Sequence, residues 1–152
     1  MAKTYSINLD LKYVPISINF TEGKEPVTIR FNPADDGLPR RLMESEKMIK
    51  DKLAELGGGI NLTDESGNPD PDKYVELQKA KDKVIFDAVD YAFGNAISAE
   101  VFKYCSPMAI VGGEYFIEQF LTRITPVIKN IIEAENKKAT TADRKYYSKY
   151  KK

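Results

Sequence analysis

Few residue types able to do chemistry stand in this chain, and their densest set lies near its C-terminal end. There Lys145, Tyr146, Tyr147, Lys149 and Tyr150 interleave cations with aromatic rings. Lysine supplies phosphate contacts and tyrosine can stack on bases, so the spacing suits a nucleic-acid strand or an acidic protein. Around them Lys137, Lys138, Arg144, Lys151 and Lys152 face one acid, Asp143, although 23 Lys and Arg balance 23 Asp and Glu over the whole chain. The body is therefore acidic by the excess that the tail is basic. No basic face extends the footprint into the body, so nucleic acid is not the expected partner. The tail reads instead as a solubilising or protein-docking end.

The remaining chemistry is sparse. The 152 residues contain no His, no Trp and one Cys. The commonest metal ligand and the commonest acid–base group at neutral pH are thus missing. Cys105 has no base to activate it and no second Cys to pair with; between Tyr104 and Ser106 it reads as a small buried hydrophobe in a reducing compartment. The acidic loop from Ile60 to Asp72 invites comparison with a calcium loop. An EF-hand needs Gly at its sixth position and Glu at its twelfth, and counting from Asp64 those positions hold Pro69 and Val75. Gly57-Gly58-Gly59 follows a helical pattern, whereas a phosphate loop precedes a helix and carries Lys-Ser/Thr. Accordingly no catalytic residue, cofactor site or metal ligand is assigned, and the chain is expected not to be an enzyme.

The elements that position these residues follow from periodicity. Tyr5, Ile7, Leu9, Leu11 and Tyr13 alternate with polar residues, which is the period of a strand with one apolar face. The phase slips at Val14-Pro15, and Ile16, Ile18 and Phe20 continue on even positions. After the turn Thr21–Glu25, Val27, Ile29 and Phe31 alternate again. Strands are expected across about 4–32. From Asn32 the period changes to that of a helix, with helices predicted at about 36–56, 73–93, 97–103 and 114–135. The fold class expected is α+β: an N-terminal antiparallel β-hairpin or three-strand meander, then a mainly α-helical body. Residues 1–136 make one domain and residues 137–152 a basic C-terminal tail. The expected core includes Ile7, Leu9, Ile18, Ile29, Phe31, Leu42, Ile85, Phe93, Phe102, Phe120, Ile124 and Ile128. Thr125-Pro126 should kink the last helix or restart it with Thr125 as cap. No apolar run approaches the ~20 residues of a membrane span, and the first residues carry no signal-peptide pattern, so a cytoplasmic protein without membrane contact is expected.

The last helix carries a broad apolar face. Phe116, Phe120, Ile124 and Ile128 on it, partly exposed in the unbound chain, are the best candidates for holding a partner. Lys145, Tyr146, Tyr147, Lys149 and Tyr150 are the second candidate set.

The stretch Asp87-Ala88-Val89-Asp90-Tyr91-Ala92-Phe93-Gly94-Asn95-Ala96-Ile97-Ser98-Ala99-Glu100-Val101-Phe102 resembles the tail assembly chaperones of long-tailed bacteriophages (siphophages) and related prophages. The helix ending in Phe-Gly, the few small polar residues and the short helix closing on Phe carry that resemblance. Phe31-Asn32-Pro33-Ala34-Asp35 and the helix opening Leu38-Pro39-Arg40-Arg41-Leu42 are similar to the start of that family, and Phe116–Ile132 to its last element. The resemblance spans roughly residues 5–135. It implies a non-enzymatic chaperone of virion assembly in the bacterial cytoplasm, absent from the mature virion. Such a protein binds the helical tape-measure protein and helps recruit tail-tube subunits. Self-association along a long client would be natural. Many members are made in two lengths by a ribosomal frameshift. The alternatives are a structural tail or virion component, or a small nucleic-acid-binding protein acting through the Lys/Tyr-rich tail.

Overall fold

A computed structural model describes residues 2–59 and 61–150, apart from the side chains of Ala139, Tyr147 and Tyr150. Lys151 and Lys152 of the tail, and the side chains of Tyr147 and Tyr150 among the candidate partner residues, lie outside the described residues.

The chain is α+β, an N-terminal two-stranded antiparallel hairpin followed by a mostly helical body. Strand β1 (Val14–Ile18) pairs with β2 (Val27–Phe31), with Ile16 opposite Ile29. Glu22 and Gly23 both take positive φ in the intervening turn, where glycine has no side chain to strain. Val27, Ile29 and Phe31 are buried and Thr28 and Arg30 exposed, as the alternation requires. Helix α1 (Leu38–Gly59) and helix α2 (Pro71–Phe93) then pack along each other, and the short helix α3 (Ser98–Val101) sits against β2. A tight hairpin, β3 (Ile110–Val111) and β4 (Glu114–Tyr115), leads into the long helix α4 (Phe116–Tyr150).

Local chemistry sets the helix ends. Asp70 caps α2, its carboxylate accepting the Asp72 amide at 3.0 Å, and Pro71 takes the first helical position, where no donor is needed. Gly94 ends the helix in the left-handed conformation at φ 65°, its amide returning to the carbonyls of Asp90 and Tyr91. The loop before α2 is a tight turn in which the Asp64 carboxylate accepts the amides of Ser66 and Asn68, both at 2.9 Å.

The core joins the inner face of the hairpin to α2, α3 and α4. Ile29, Phe31, Ile85, Phe93, Phe102, Phe120, Ile124 and Ile128 are buried in it, and Ile18 and Leu42 pack half-buried against it. Ile7 and Leu9 do not join it. Residues 2–13 form no strand, and Tyr5, Ile7, Leu9 and Leu11 are between 70% and 83% exposed. The slip at Val14-Pro15 explains this. Successive strand residues point to opposite faces, so an apolar set on odd positions faces away from the core that Val14, Ile16 and Ile18 enter.

Two further readings are corrected: the restart of the last helix at Thr125, the alternative to a kink at Pro126, and the burial of Cys105. Helix α4 passes through Pro126 without restarting, and Thr125 is not a cap: its hydroxyl donates to the Leu121 carbonyl at 2.6 Å. Thr122 and Pro126 are exposed, so water can satisfy the carbonyl that Pro126 leaves without a donor, while Phe120, Ile124 and Ile128 pin the helix on both sides. Cys105 is half-buried rather than enclosed. Helix α4 also continues through the basic segment, where every described residue from Asn136 to Lys149 is exposed.

Candidate functional site

The fullest polar constellation surrounds the end of α2. Asp90, in the last turn of that helix, accepts the Ile97 amide at 2.9 Å, the Ser98 amide at 2.7 Å and the Ser98 hydroxyl at 2.8 Å. One carboxylate therefore receives the first free donors of α3 and fixes its direction. Asn95 donates from its side-chain amide to the Arg30 carbonyl at 2.8 Å, tying the same turn to β2. Arg41 approaches from α1. Its Nε donates to the Ala92 carbonyl at 3.1 Å, and its guanidinium grips Asp35 with both terminal nitrogens. The Asp35 carboxylate also accepts the Gly37 amide at 3.0 Å.

This cluster holds hairpin, α1, α2 and α3 in one frame. The Arg41 guanidinium beside Asp35 keeps that carboxyl below its ordinary pKa and raises the pKa of Arg41 in turn. A Cβ at Gly37 would stand 2.8 Å from Arg41 Nη1, so the glycine leaves room for the guanidinium. Nearby, the Tyr91 hydroxyl donates to the Glu44 carboxylate, and that hydrogen bond raises the tyrosine's pKa. The hydrogen bonds of the cluster run between elements, so it positions them relative to one another. Sequence reasoning passed over Arg41, Asp90 and Asn95. The available signal was an Asp near the end of one helix and a Ser opening the next, eight residues apart.

The surface with room for a partner lies elsewhere. An apolar cleft of about 220 Å³ runs between β1 and α4. Ile16, Ile18 and Phe20 form one wall; Phe116, Phe120, Ile124 and Val127 form the other; Gln119 and Arg123 also line it. Of the first candidate set, Phe116, Phe120 and Ile124 line the cleft and Ile128 does not. The expectation that these side chains stand partly exposed is corrected. Phe120, Ile124 and Ile128 are 8%, 5% and 3% exposed, and only Phe116 is half-buried. The reason is the aromatic cluster behind them. Phe102 meets Phe116 and Phe120 edge-on at 6.1 and 6.3 Å between ring centres, and Phe93 lies 6.2 Å from Phe120. These residues are the floor of a cleft; of its apolar lining Val127 is exposed, and Ile18, Phe20 and Phe116 are half-buried.

The second candidate set is on the exposed end of α4. Lys145 and Lys149 are one turn apart and Tyr146 lies between them, well away in sequence from the cleft residues. The structure does not bring the two sets together. Among the described residues no group of three or more His, Cys, Asp and Glu is placed to hold a metal ion, and no helix is long and apolar enough to cross a membrane. Comparison with protein-family models, with curated proteins and with solved structures finds no match.

Proposed function

We propose that this chain is a non-enzymatic phage tail assembly chaperone that binds the helical tape-measure protein and helps recruit tail-tube subunits during tail morphogenesis in the host cytoplasm. The observation that carries the proposal is the apolar cleft between β1 and α4, whose walls are aromatic and branched aliphatic side chains. An amphipathic helix inserts anchors at spacings of three and four residues into such a groove. A tape-measure protein supplies long apolar helical faces, and covering them needs apolar surface rather than a nucleophile, metal or cofactor. The resemblance in residues 87–102 supports the same reading. In this chain those residues hold the frame that fixes the cleft: Val101 lines it and Phe102 packs against Phe116 and Phe120.

Co-expression tests the proposal. The long helical protein encoded downstream should be insoluble alone and soluble with this chain. A Phe20→Asp, Val127→Asp variant should fold with unchanged far-UV circular dichroism and lose that effect. If the variant still keeps the client soluble, the cleft is not the binding surface. If the client is soluble alone, or stays insoluble beside the wild-type chain, the chaperone reading falls.

A further inference from the structure

We propose that residues 5–13 are a self-pairing arm through which two copies of this chain join, antiparallel and centred on Leu9. The arm precedes β1, is exposed throughout, and carries Tyr5, Ile7, Leu9, Leu11 and Tyr13 on alternate positions. A single exposed apolar residue is ordinary, but five in strand register are not. Its own body does not serve it, because the phase slip at Val14-Pro15 turns that set away from the core.

The residue order identifies a second copy as the occupant. Reading Tyr-Ile-Leu-Leu-Tyr on one face, an antiparallel pair about Leu9 places Tyr5 opposite Tyr13, Ile7 opposite Leu11 and Leu9 opposite its own counterpart. All five apolar residues then meet apolar residues across the pair. On the other face Ser6 meets Lys12 and Asn8 meets Asp10, with no like charges opposed. The competing registers are worse. A shift by two residues in one direction sets Tyr13 opposite Lys3, and in the other sets Asp10 opposite Asp10. Parallel alignment opposes Asp10 to Asp10 and Lys12 to Lys12. A patch that is complementary to itself under reversal is what a twofold interface requires.

Exposed side chains of this size offer on the order of 100–200 Å² each, so five approach the ~800 Å² per partner of a standard interface. A two-stranded ribbon is marginal alone, so its apolar face closes on a second identical ribbon about 10 Å away. The assembly is therefore even-numbered, a dimer that pairs into a tetramer. The arm is separate from the cleft, and this inference does not rest on the identity of any client.

The test uses the full chain in sedimentation and cysteine pairing. Wild-type protein should sediment with an even multiple of the chain mass, and a chain lacking residues 2–12 should be monomeric with unchanged circular dichroism. In a Cys105→Ser background, Leu9→Cys should give covalent dimer on mild oxidation. Ile7→Cys should do so poorly alone and well when mixed with Leu11→Cys. A monomeric wild type overturns the proposal, as does an oligomer that survives removal of the arm. Efficient self-linking of Ile7→Cys with none for Leu9→Cys overturns the register and with it the twofold pairing.

Discussion

Asp90 shows how one side chain can organise a turn. It accepts three hydrogen bonds from Ile97 and Ser98 and so joins α2 to α3. Asp90→Ala leaves those part-buried donors without a partner and should cost about 2–3 kcal/mol in urea denaturation, near the upper range for bonds to a charged acceptor. Phe120 bears on packing instead. It is buried against Phe93 and Phe102, and Phe120→Ala should cost about 3–5 kcal/mol by the same measurement. A loss under ~1 kcal/mol would mean that the site collapses without a cavity. Asp35 adds a pH dependence. Its carboxyl is held below the ordinary range mainly by the Arg41 hydrogen bond, so its folded-state pKa lies under its unfolded value of about 3.9. The contribution is complete above that unfolded value and is lost as pH falls through the folded one. Asp35→Asn should therefore destabilise by about 1–2 kcal/mol at pH 7, and the difference from wild type should shrink below about pH 4. An undiminished difference at pH 2.5 would place the effect in packing rather than charge.

Elements differ in how plainly the sequence announced them, and the differences have physical causes. The hairpin was legible because Ile16 and Ile18, and Val27, Ile29 and Phe31, alternate on either side of a turn with glycine at positive φ. Helix α2 is legible through its apolar spacing and the break at Gly94, whereas its cap and first position, Asp70 and Pro71, read as loop. The arm was misread because alternation reports an extended chain and not the partner that would make it a strand. The small hairpin at Ile110–Tyr115 went unread although Gly112-Gly113 is a strong signal for a turn with two positive φ angles. The apolar pattern of helix α4 ends at Glu135, but the helix itself runs on to Tyr150. Ala134, Lys137, Lys138, Ala142, Arg144 and Lys145 are good helix formers whether or not they are buried. The polar frame at Arg41, Asp90 and Asn95 joins residues far apart in sequence and could not be read from spacing alone. The exposed end of α4 makes its own prediction. Removing residues 139–152 takes away the end of α4, whose described side chains are exposed, and should lower the melting temperature by less than about 2 °C, where 1 kcal/mol would shift it by roughly 2–4 °C. A drop of several degrees would show that the basic turns are part of the folded unit.

At the scale of the whole molecule three apolar features stand out: a closed core, a cleft between β1 and α4, and an uncovered arm. The first is satisfied internally, and the other two are the surfaces on which the proposed partners would close. Under the two proposals their separation would give the protein two independent attachments, one for a helix and one for a copy of itself. Copies joined through their arms would present several clefts to one long client, and linked weak sites hold such a client better than single sites do. If the arms pair only beside a folded body, self-association also links stability to concentration. The melting temperature of the wild-type chain should therefore rise with protein concentration, by roughly 1–3 °C for each tenfold increase in a domain of this size. The chain lacking residues 2–12 should melt at one temperature across the same range. Scanning calorimetry at three concentrations separates the outcomes. Equal slopes for the two chains would place the self-association outside the arm, and a flat profile for both would leave the body of this protein a monomer.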